Sequence, residues 1–117
     1  MNGAIYCFTN SRISTVPVRV YRITCGEKIK VRELEPLLHY DYDLRAKYDF
    51  ALCVLKNRYV VLSGGNDLHV TLYSKKSYLF DTVRGVFLAS TRPPDLGQGR
   101  SRHASCATEK AIFVYGG

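Results

Sequence analysis

The sequence predicts an all-β fold built from a repeated four-stranded unit. Three observations carry this. Short runs rich in Val, Ile, Tyr and Phe are bounded by Gly, Asn, Asp, Ser or Pro, the pattern of strands and turns. No window keeps the i, i+3, i+4 apolar spacing of a helix. A hairpin followed by a pair of glycines occurs twice, with a degenerate copy at the start, at a period of about 50 to 60 residues.

The middle copy is the clearest. Phe50–Leu55 is its strand one and Tyr59–Ser63 its strand two, followed by Gly64-Gly65. Ser77–Asp81 and Val86–Ala89 complete it as strands three and four. The closing copy has His103–Ala107, Ala111–Tyr115 and then Gly116-Gly117. The opening copy supplies Ala4–Phe8 as strand two, Arg19–Ile23 as strand three and Ile29–Leu34 as strand four. Several runs are continuously apolar, as expected of strands covered on both faces. The segment Leu37–Tyr48 contains Tyr40-Asp41-Tyr42-Asp43, poor helix chemistry, and reads as a loop. Four strands per repeat at this period is the signature of a β-propeller blade. The chain is thus expected to be one segment, 1–117, made of a partial blade at 1–36, a complete blade at 37–94 and a partial blade at 95–117.

Composition bounds the function classes. The chain has 117 residues, 46% hydrophobic and 23% charged, which suits one globular domain and excludes a disordered or fibrous chain. The longest apolar run is Phe50–Leu55, far short of a membrane span, and the N-terminus lacks the pattern of a signal peptide. Cys7, Cys25, Cys53 and Cys106 form no C-x-x-C pair. They read as reduced, mostly buried thiols of an intracellular, cytoplasmic protein. No residue set suggests a metal or a cofactor. The net charge is +7, with Lys and Arg scattered rather than blocked, which fits a solvated basic surface and leaves nucleic acid as an alternative partner.

The chain resembles the kelch-repeat family. In that family strand one, a tight turn, strand two and a Gly-Gly pair are followed by a variable loop and by a Tyr and a Trp on the last two strands. Here Gly64, Gly65, Gly116 and Gly117 are the glycine pairs, and Phe80 and Phe87 stand in the Tyr and Trp places. In the opening copy Tyr21 takes the Tyr place and Thr9-Asn10 that of the glycine pair, and the chain has no tryptophan. The resemblance implies a partial propeller of four-stranded antiparallel blades, one complete and flanked by two partial ones. Remaining blades of the same chain, or other copies, would be needed to cover the outer blade faces.

Antiparallel geometry puts the loop entering strand one and the loop leaving strand two at the same end of each blade. The residues expected to gather there are Tyr40, Tyr42, Arg45, Lys47, His69, Lys75, Lys76, Arg100 and Arg102. Tyr and Arg are enriched at binding hot spots, and loops on a rigid scaffold carry function. Arg100, just before strand one, has a second reading as a brace for the neighbouring loop. His103 matches Phe50 of the middle copy, so it reads as a packed ring rather than a catalytic base. The expected function is a protein-interaction scaffold presenting the loops of one face, not an enzyme. The alternatives are a basic module for nucleic acid or an anionic surface, and part of an enzyme whose site lies in missing blades.

Overall fold

The computed structural model describes residues 3–10, 18–34, 44, 47–67, 73–88 and 93–117. Among them the fold is all-β, with antiparallel pairing in every sheet and no α-helix. Among the described residues no helix is long and apolar enough to cross a membrane.

Three sheets lie in series. The first joins β1 (Ala4–Phe8), β2 (Val20–Cys25) and β3 (Ile29–Leu34) in that order. The central sheet has four strands, β5 (Ala51–Leu55), β6 (Tyr59–Ser63), β8 (Ser77–Asp81) and β9 (Val86–Phe87), again in chain order. The third is a hairpin of β10 (Ala104–Ala107) and β11 (Ile112–Tyr115). The bounds of β1, β3, β6 and β8 are those the sequence predicts. β2 starts and ends later than expected, because Val20 is the residue opposite Phe8. Two strands were not expected: β4 (Lys47–Tyr48) pairs with β7 (Asn66–Asp67). The end of the segment read as a loop is therefore a strand, and residues 37–43 lie outside the described part.

Local chemistry sets the turns. Lys56 and Asn57 both have positive φ, and the Leu55 carbonyl accepts a hydrogen bond from Arg58 N, the geometry that matches strand twist in a tight hairpin. The next turn is organised by Asp81. Its carboxylate accepts from Val83 N and Arg84 N, its carbonyl accepts from Gly85 N, and Gly85 takes a φ of 70°. Arg58 donates to the same carboxylate at 3.0 and 2.8 Å and holds its pKa below the ordinary value.

The core lies between the first and central sheets. Val60, Leu62, Tyr78 and Phe80 on one face of the central sheet meet Val18, Val20, Tyr6 and Phe8. Phe80 is fully buried and makes edge-on contacts with Phe8 and Phe87, ring centres 5.2 Å apart in both cases. The opposite face of the central sheet receives the β10–β11 hairpin, with a cavity of about 480 Å³ between Val61, Ile112, Val114 and Pro93. Alternate residues leave Ile5 and Val31 exposed on the first sheet, and Phe113 and Tyr115 on the hairpin. The cysteines correct the expectation of mostly buried thiols: only Cys53 is buried, while Cys7, Cys25 and Cys106 are exposed. Cys7 alternates with the inward Tyr6 and Phe8, and Cys106 pairs with the exposed Phe113, so both point away from the central sheet.

Candidate functional site

The site is built at the end of the sheets where β6 exits and β5 and β10 enter. Gly64 and Gly65 turn the chain there with φ of 66° and 98°. A Cβ on Gly64 would stand 2.5 Å from the Arg100 carbonyl oxygen, and one on Gly65 2.8 Å from the Tyr48 carbonyl oxygen. Glycine is thus required twice over, by conformation and by space.

That close approach lets main-chain groups of separate loops bond to one another. Gly64 N donates to Lys76 O at 3.0 Å and Gly65 N to Arg100 O at 2.7 Å. Ser74 N donates to Gly65 O, Arg100 N to Ser74 O and Leu96 N to Lys75 O. Arg102 N donates to Asp49 O, tying the entry of β10 to that of β5.

Asp49 is the hub that sequence reasoning missed. Its amide donates to Asn10 Oδ1, and its carboxylate accepts from Asn66 Nδ2 and, at 3.1 Å, from Arg102 Nε. One residue thereby links the loop ends of all three sheets. Its signal in the sequence was position alone: Asp49 precedes Phe50 as Arg102 precedes His103.

The expected residues fall into distinct places. Lys75 and Arg102 are exposed, while Lys76 and Arg100 are half-buried. Arg100 donates from Nη1 to Gly116 O at 2.9 Å, the bracing contact of its second reading. Lys47 corrects the expectation of a displayed cation. It is fully buried in β4 with Nζ 5.7 Å from the centre of the Tyr78 ring, because β4 is drawn into a ladder with β7. Tyr40, Tyr42, Arg45 and His69 lie outside the described residues. Tyr73, 59% exposed beside Lys75, joins the set unforeseen. Phe80 and Phe87 sit in the core, and Gly116 and Gly117 have positive φ like the first pair.

His103 packs behind this surface. Its Nε2 lies 3.1 Å from Ser63 Oγ, and its Nδ1 is buried without a hydrogen bond. Burial, with a smaller effect of Arg100, pushes its pKa down, so the ring is neutral near pH 7. No group of three His, Cys, Asp or Glu side chains is arranged to hold a metal among the described residues. What the arrangement offers chemically is a stiff surface with Tyr, Lys and Arg side chains standing on it. No protein-family model matches the chain, and no curated protein matches it in sequence.

Proposed function

We propose that the chain is a segment of a kelch-type β-propeller and that its loop end binds a partner protein. The observation that carries this reading is the lattice of main-chain hydrogen bonds joining Gly64, Gly65, Ser74, Lys75, Lys76 and Arg100. Loops fixed in this way lose little entropy when a partner docks, so more of the contact energy appears as affinity. The repeat, the four-stranded central sheet and the paired positive-φ glycines support the blade reading. Tyr73, Lys75 and Arg102 are the exposed side chains on the lattice, and aromatic and Arg residues are favoured anchors.

The test is site-specific photo-crosslinking in cells. A crosslinker in place of Tyr73 is expected to trap a defined protein, and the adduct is lost on joint Lys75→Ala and Arg102→Ala replacement. A crosslinker in place of Val31, exposed on β3, serves as the control. Equal adducts from both positions, or none from position 73, would overturn the loop-end assignment.

A further inference from the structure

Away from the loop end, the register of the first sheet creates a concentration of positive charge that no described carboxylate neutralises. Tyr6 pairs with Arg22, and Arg22 pairs with Arg32, so the three side chains form one row across the face turned toward the central sheet. Like charges directly opposite on neighbouring strands are destabilising. The row is completed from the other side of the joint. Tyr6 donates its hydroxyl hydrogen to Thr82 O, which holds the β8–β9 turn against the first sheet and brings Arg84 to the same place. Arg22, Arg32 and Arg84 line one open pocket of about 420 Å³, with Tyr6, Leu34 and Thr82.

The described carboxylates nearby, Asp81 and Glu33, are already committed. Asp81, at the base of the turn, is held by Nε and Nη2 of Arg58 and by two backbone amides, and its side chain is 2% exposed. Glu33, next to Arg32 in sequence, points to the other face of the sheet, where it meets Arg19 at 3.8 Å. No described carboxylate forms an ion pair with Arg22, Arg32 or Arg84.

We propose that this pocket binds a phosphate dianion, free or carried on a side chain. Three arginines lining one concave site suit a compact phosphate dianion, since paired N–H donors are what Arg supplies to phosphate. The pocket volume suits a single head group and its attachment, as small-ligand sites do. A nucleic-acid backbone would call for a basic stripe along a groove instead. Free phosphate and a phosphorylated side chain share this chemistry. The proposal goes beyond the loop-end reading and shares no residue with it, so either can fail alone.

The experiment is titration calorimetry on the whole chain at low salt with three probes: inorganic phosphate, a phosphoserine tripeptide and oligo-dT. Saturable binding of the phosphoserine peptide is expected, and binding of inorganic phosphate alone would assign the site to the free ion. Arg22→Gln, Arg32→Gln and Arg84→Gln should each weaken binding by about tenfold, the loss of a charge-assisted hydrogen bond. Lys110→Gln, a surface cation on the β10–β11 turn, should leave it unchanged. The urea midpoint of Arg22→Gln or Arg32→Gln without phosphate should equal or exceed that of the parent, which separates a binding loss from a folding loss. Wild-type affinity in the arginine variants, equal weakening by Lys110→Gln, or binding of oligo-dT alone would each overturn the proposal.

Discussion

The two faces of the central sheet are made by alternate residues of the same strands, and they are closed in different ways. Val60, Leu62, Tyr78 and Phe80 meet the first sheet in an aromatic joint. Val61, Ser63 and Ser77 face the β10–β11 hairpin across a cavity, and the contact there is a latch: Ser63 to His103, and Gly65 N to Arg100 O. The first joint gains its energy from buried area, which is insensitive to pH and tolerant of small shifts. The second gains it from directed bonds at close approach, which depend on protonation and on the absence of side chains at the glycines.

The largest difference between them should appear on truncating the aromatic joint. Phe80→Ala empties a fully buried site and is expected to cost about 3–5 kcal/mol, read as a fall in the urea midpoint. A cost near that of a surface substitution would mean that the first joint is not the main source of stability. At the latch, Gly64→Ala forces a left-handed conformation on a residue with a Cβ, roughly 1–2 kcal/mol from the backbone alone. The collision with the Arg100 carbonyl and the His103 ring adds to it. Gly26→Ala, whose Cβ would meet nothing within 4 Å, is the matched control and should leave the midpoint nearly unmoved.

The smallest effect separates the joints by pH. The folded-state pKa of His103 lies below the ordinary 6.5, so the unfolded chain binds the proton first as pH falls. The neutral ring's contribution is fully present above pH 6.5 and is lost as pH falls from there through the lowered folded-state value. Urea unfolding at a series of pH values should show this decline. His103→Phe, which copies Phe50 of the middle repeat, should flatten it. An unchanged slope in that variant would locate the titrating group elsewhere.

Much of this architecture was legible from residues with strong local signals. The apolar and aromatic runs of β1, β6 and β8, and the turn residues flanking them, set those bounds, because strand preference and turn chemistry act within a few residues. The glycine pairs pointed to the close approach at the loop end for the same reason. β4 and β7 were illegible: a two-residue ladder has no periodicity, and it forms only because Gly64 and Gly65 aim Asn66 back toward Tyr48. The burial of Lys47 follows from that ladder and was hidden with it. Asp49 looked like any charged loop residue, since its partners Asn10, Asn66 and Arg102 come from three separate stretches of chain. The arginine row was equally silent, because only the register of β2 with β3 sets Arg22 against Arg32.

The strand order of the three main sheets has a consequence for how the chain acquires its shape. In each of them every paired neighbour is also the next strand of that sheet along the chain. Closing such short loops costs little entropy. No strand of these sheets waits for a distant partner to emerge during synthesis. The chain can therefore set each sheet as it is made and lay the next one against it, while the cross-sheet ties at Asp49 close last.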